Sequence, residues 1–254
     1  FIHSKNIRMK KGRQDRIAET LTKIAIEKEI QIVICIDEFQ QISDFEDSKT
    51  FQKKLRSVWQ LQQHVSYCLF GSKKHLMNEL FEKKNLPFYK FGDAIYLTKI
   101  ETKYWIEYIC KRFENTGKHI SPELAEEICR LVDNHSSYVQ QLSWLLWIRT
   151  INTATTEQLT YALEDLLDQN NILFQSETEN LSAYQMNFLK AIVDGIHTKF
   201  SSKEVISKYN LGTSANIVRL KNALLQKELI ETNGKEIVLA DPVFGVWFKK
   251  EMLY

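Results

Sequence analysis

Apolar positions along the first hundred residues change period again and again. In residues 14–28 (QDRIAETLTKIAIEK), Ile17, Leu21, Ile24 and Ile26 form one broad stripe, the mark of an amphipathic helix. QIVICI (31–36) is then a continuous β-branched run, the pattern of a parallel strand buried on both faces. Residues 48–61 return to a helical period with Phe51, Leu55, Val58 and Trp59. VSYCLF (65–70) predicts a second strand, residues 73–81 a helix, and AIYL (94–97) a third, short strand. Strand, helix, strand, helix, strand is the α/β pattern.

Beyond Glu101 the period is helical throughout. Residues 102–115 carry Trp105, Ile106, Ile109 and Phe113, and Ser121-Pro122-Glu123-Leu124 supplies an N-cap with proline at the first helical position. Helices are predicted over 138–149 and 156–173. Trp105, Trp144, Trp147 and Trp247 lie on apolar faces and are expected in the core. From residue 181 the pattern changes once more. Helices over 184–194, 201–209 (capped by Ser201 or Ser202) and 214–227 surround the turn Asn210-Leu211-Gly212, a helix-turn-helix. ELIETNGKEIVLAD comes next, two short strands about Asn233-Gly234, a strong hairpin signal. The expectation is an α/β core with a partial parallel sheet, then an all-α lid, then a C-terminal winged helix. The domains would be 1–100, 101–180 and 181–254.

Charge respects the same divisions. The net charge is +2, from 34 Lys and Arg against 32 Asp and Glu. Residues 1–100 carry an excess of basic residues, 101–180 an acidic excess and 181–254 a small basic one. No global basic footprint for nucleic acid exists. Lys5, Arg8, Lys10, Lys11, Arg13 and Arg16 cluster near the start, as a solvated end or a phosphate-contacting arm. No apolar run approaches the ~18 residues of a membrane span, and the first residues, FIHSKNIRMKK, show no apolar core of a signal peptide. Cysteines 35, 68, 110 and 129 form no CxxC pair and read as reduced, mostly buried thiols of a cytoplasmic protein.

The sharpest local feature is Ile32-Val33-Ile34-Cys35-Ile36-Asp37-Glu38, a buried strand ending in two carboxylates. Ligands of open α/β sheets sit beyond the carboxyl ends of the strands. Two acids there suit a magnesium–nucleotide site: one to hold hydrated Mg²⁺ and one to accept a proton from attacking water. The same pattern also fits a strand that ends in a charged turn. The second strand ends in Gly71-Ser72, a hydroxyl able to reach the same water or to cap the next helix. The eight glycines, however, offer neither GxxxxGK[ST] nor GxGxxG, so the phosphate-gripping loop of such a site is not in this chain.

The succession IVICIDEFQQI, YCLFGSKKHLM and LPFYKFGDAIYLTKI resembles P-loop ATPases of the AAA+/STAND type. Within these it is most similar to the prokaryotic archaeal-type ATPase family, relatives of origin-recognition initiators. The block around NHSSYVQQLSWLLW resembles their lid and the C-terminal block their winged helix. The resemblance implies Asp37 as the Walker B ligand of Mg²⁺ through water, Glu38 as the catalytic base and Ser72 as the sensor residue. It implies ATP and Mg²⁺ as cofactors. Three departures stand out. The upstream Walker A loop is missing, so the chain is expected to be a fragment, not active on ATP by itself. Asn134-His135-Ser136 stands where relatives have Gly-x-Pro, which makes His135 a candidate nucleotide contact or a turn residue. Lys90-Phe91 stands where relatives have Gly-Arg.

The leading expectation is thus an ATP-binding and hydrolysing switch ATPase. The alternatives are a DNA-binding winged helix with a degenerate ATPase half, or an interaction module that docks a protein partner or a second copy. In the DNA reading, Asn216, Arg219 and Lys221 on the recognition helix and Lys235 on the wing would face the duplex. No membrane partner is expected.

Overall fold

The computed structural model describes residues 13–252 and divides into two compact units, with the division between Tyr96 and Leu97. Lys5, Arg8, Lys10 and Lys11 of the basic cluster lie outside the described residues.

In the first unit, α1 (Arg13–Glu27) leads to β1 (Ile32–Ile36), a short 3-10 helix (Phe39–Asp44), α2 (Ser48–Trp59), β2 (Val65–Leu69) and α3 (Lys74–Glu82). β1 and β2 pair in parallel, with Ile32 opposite Val65 and Ile36 opposite Leu69. Alternation does the rest: Ile36, Tyr67 and Leu69 point to one face. There they meet a core of Phe39, Ile42, Trp59, Leu80 and Phe88. Aromatic rings hold this core together, with Phe39 edge-on to Phe88 at 5.4 Å and Trp59 stacked on Tyr67 at 4.1 Å. Gln62 ties in α1 by donating to the Ala18 carbonyl and to Thr22 Oγ1, while accepting from Tyr67 Oη at 2.6 Å.

Three expectations fail here, for related reasons. The AIYL segment carries no regular element, and Ile95 and Leu97 are 85% and 93% exposed. A strand exists only through its neighbours, and neither β1 nor β2 pairs with residues 94–97. β1 is not buried on both faces: Val33 is 64% exposed, and Cys35 and Cys68 on the same face are exposed rather than buried. In α1 the small residues Ala18 and Ala25 face inward, whereas Ile17, Ile24 and Ile26 are exposed. Apolar character marked β1, β2 and α1 correctly, overran at residues 94–97, and did not say which face another element covers.

The second unit is helical before its hairpin. α4 (Thr102–Glu114), α5 (Pro122–Leu131), α6 (Ser136–Arg149) and α7 (Thr156–Glu179) are followed by α8 (Ala183–Val193), α9 (Lys203–Tyr209) and α10 (Ser214–Gln226). The antiparallel hairpin β3 (Ile230–Asn233) and β4 (Glu236–Leu239) then leads to α11 (Pro242–Met252). The helix starts are well capped. Ser121 accepts from the Leu124 amide, and Thr155 with Gln158 and Ser182 with Gln185 form reciprocal capping boxes. Ser202, not Ser201, caps α9. α7 runs six residues past its expected end, because Phe174 continues its buried face against Phe244 and Trp247 of α11. One continuous core thus runs from Trp105 to Phe248. Among the tryptophans, Trp105 and Trp247 are buried, but Trp147 is only half-buried and Trp144 is 56% exposed. Among the described residues, no helix is long and apolar enough to cross a membrane.

Asp241 knits the unit together. Its Oδ1 accepts the amides of Val243 and Phe244 at the start of α11, and its Oδ2 accepts from Tyr138 Oη of α6 at 2.5 Å. Burial, and then the charge of Asp241, hold the Glu177 carboxyl above its usual range. The folded chain therefore binds that proton more tightly than the unfolded chain. The stability it confers is complete below the unfolded value and is lost as pH rises through the raised one. Glu177→Gln should accordingly melt higher than the wild type at pH 7, with the gap closing at about pH 4. A second outcome concerns the thiols. Burial pushes Cys129 up to about 11, so iodoacetamide at pH 8 should label the exposed Cys35 and Cys68 well before Cys129, as mass spectrometry of native and denatured protein would show.

Candidate active site at the strand tips

Parallel pairing carries the two strand ends to the same edge of the sheet. The ladder persists past the strands: the Phe70 amide donates to Ile36 O and the Phe39 amide to Phe70 O, both at 3.0 Å. Residues 37–38 and 71–72 are thereby held side by side. Asp37 is exposed, and its Oδ1 accepts the Glu38 amide at 2.8 Å. Glu38 takes a left-handed backbone conformation (φ 50°, ψ 40°), a sharp turn out of the strand into the 3-10 helix. For a residue with a β-carbon this conformation is uncommon.

The turn points the Glu38 carboxylate across to β2. Ser72 Oγ donates to Glu38 Oε1 at 3.1 Å. The other oxygen, Oε2, accepts from Gln40 Nε2 at 2.5 Å. Gln40 is 2% exposed, and its own Oε1 has no hydrogen-bond partner. It lies against Gly71, where a β-carbon would come within 1.9 Å of that oxygen. The sequence pointed to Asp37, Glu38 and Ser72, which the structure brings together. It did not point to Gln40, whose burial only packing reveals.

Beneath the site, Arg56 of α2 donates to the carbonyls of Pro87 and Tyr89, and its guanidinium lies 5.4 Å from the Phe91 ring centre. Lys90, with positive φ, sets its ammonium over the Tyr89 ring. The Lys90-Phe91 departure is therefore built into the packing, with Phe91 edge-on to Phe88.

The remaining candidates belong to the second unit. His135 is the N-cap residue of α6, but its side chain caps nothing. Its ring lies 4.8 Å from that of Tyr138, and its Nδ1 is buried without a partner. Before it, Asp133 and Asn134 both have positive φ, and Asn134 exchanges hydrogen bonds with Thr102 Oγ1. On α10, Arg219 is exposed and Lys221 half-buried; Lys235 is exposed at the hairpin tip. Asn216 instead donates to Leu211 O at 3.0 Å and secures the turn before its own helix. Among the described residues, no group of three or more His, Cys, Asp or Glu is placed to hold a metal.

An α/β unit with paired strand tips, followed by helices and a winged helix, defines the class of fold. Residues 172–250 match the family described as "Probable winged helix domain". Over 97% of this chain and 72% of the other, the structure is similar to the Walker-type ATPase PABY2304 of Pyrococcus abyssi, with a TM-score of 0.71 and 17% identity, a likeness of fold. Weaker matches are the Aeropyrum pernix ORC2 protein (TM-score 0.48, 13% identity, 98% of this chain and 73% of that one) and Thermotoga maritima RuvB (0.43, 13%, 85% and 70%). No curated protein matches the chain by sequence.

Proposed function

We propose that this chain carries the hydrolytic and sensing side of a magnesium–ATP site in a switch ATPase. The proposed parts are a partial ATPase core (1–100), a helical lid (101–180) and a winged helix (181–254). The observation that carries the reading is the Ser72–Glu38 hydrogen bond, which joins the tips of two parallel strands beside Asp37. Asp37 suits a hydrated Mg²⁺: one exposed carboxylate, oriented by the Glu38 amide, matches an ion that takes few protein ligands and keeps several waters. Bound there, the ion would neutralise phosphate charge.

The chain's own residues do the rest. Asp37 orients the ion's water shell. Glu38 receives the proton of the attacking water, and Ser72 shares the same carboxylate and so reports on that water. Glu38→Gln in the full-length gene product should abolish ATP turnover while ATP binding persists. A mutant that hydrolyses at the wild-type rate would dismiss Glu38 as the base. ATP should raise the melting temperature more with Mg²⁺ than without it; no shift under either condition would sink the nucleotide reading.

The winged-helix match favours a second activity, binding of duplex DNA through Arg219 and Lys221 of α10 and Lys235 of the wing. Cation contacts to phosphate make such binding salt-dependent. Arg219→Ala combined with Lys221→Ala should weaken a gel shift by about tenfold or more. An unchanged shift would remove these residues from the interface.

A further inference from the structure

Most residues around the strand tips either reach solvent or pack apolar surface, and Gln40 does neither. It is 2% exposed, yet it spends its one strong interaction on a neighbouring side chain and leaves its amide oxygen unpaired in the core. Turning the amide over would set that oxygen against the Glu38 carboxylate, so charge fixes the orientation seen. A buried acceptor without a partner lowers stability. An apolar residue of similar size would therefore serve packing better. What the amide adds is delivered at Glu38.

We propose that Gln40 is a positioning residue for the Glu38 carboxylate, and that Gly71 supplies the space that admits it. The inference rests on the reading of Glu38 as the proton acceptor. The two donors on that carboxylate differ in kind. Ser72 is exposed, so water competes for its bond to Oε1. Gln40 is enclosed, so its bond to Oε2 meets less competition from water. Gln40 holds the plane of the carboxylate while Oε1 exchanges Ser72 for the reacting water. A fixed base orientation is worth rate rather than affinity. Gly71 has no positive φ that would require glycine, but a β-carbon there would overlap Gln40 Oε1. Its lack of a side chain serves the glutamine.

The test separates position from packing. Gln40→Met keeps the bulk and removes both polar atoms. In the full-length gene product it should melt at or above the wild-type temperature, while kcat for ATP falls at least about tenfold and KM stays within about twofold. Gly71→Ala should reproduce that loss. Combined with Gln40→Ala, which vacates the space, it should cost no more than about twofold further. A Gln40→Met enzyme with wild-type kcat overturns the proposal, and so does full additivity of Gly71→Ala with Gln40→Ala. An NMR measurement stands apart from turnover. The Gln40 side-chain amide protons should exchange with solvent far more slowly than those of the exposed Gln41, and Gly71→Ala should abolish the difference. If the wild type does not hydrolyse ATP, the functional reading fails while slow exchange, lost in Gly71→Ala, still upholds the clamp; equal exchange rates in the wild type overturn it.

Discussion

The candidate site depends first on the parallel register that sets Ile36 beside Leu69. Parallel strands point their carboxyl ends the same way, so residues 34 positions apart in the chain emerge at one edge. Asp37, Glu38 and Ser72 meet because of that register and the left-handed turn at Glu38, and a slip of one residue would turn the strand's side chains to the opposite face. The aromatic core of Phe39, Trp59, Tyr67 and Phe88 fastens the register, since each strand contributes rings or neighbours to it.

Around that edge the chain accepts local costs. Glu38 sits in a left-handed conformation, and Gln40 buries an oxygen without a partner. Unfavourable backbone and unpaired polar atoms cluster where a structure holds reacting groups. Here they occur within three residues and bear on one carboxylate. The second unit carries such costs too, at Asp133, Asn134 and His135. Capping boxes, an extended α7 and a shared core make it regular, and Asp241 links α6 to the start of α11 through one carboxylate.

Much of this was legible in the chain. The period of the apolar residues marked both core strands and every long helix. Asn233-Gly234 marked the hairpin, and the serine caps marked helix starts to within a residue. These features are local, fixed by backbone propensity and by hydrogen bonds between residues three or four apart. The acid pair at the end of β1 was legible too, since a run of β-branched residues followed by Asp-Glu needs no distant information.

What a neighbour decides could not be read this way. Residues 94–97 have a strand's composition, yet neither β1 nor β2 pairs with them. Val33, Cys35 and the isoleucines of α1 are apolar and exposed, because burial requires a covering element. Gln40 looked like one glutamine among several until packing placed it under Glu38 and against Gly71. The order of β1, β2 and the long helices, and the carboxylates at a strand end, rest on local periodicity and chemistry and so follow from the chain. Which faces are covered and which donors reach the Glu38 carboxylate depend on packing, in which segments far apart in the chain meet.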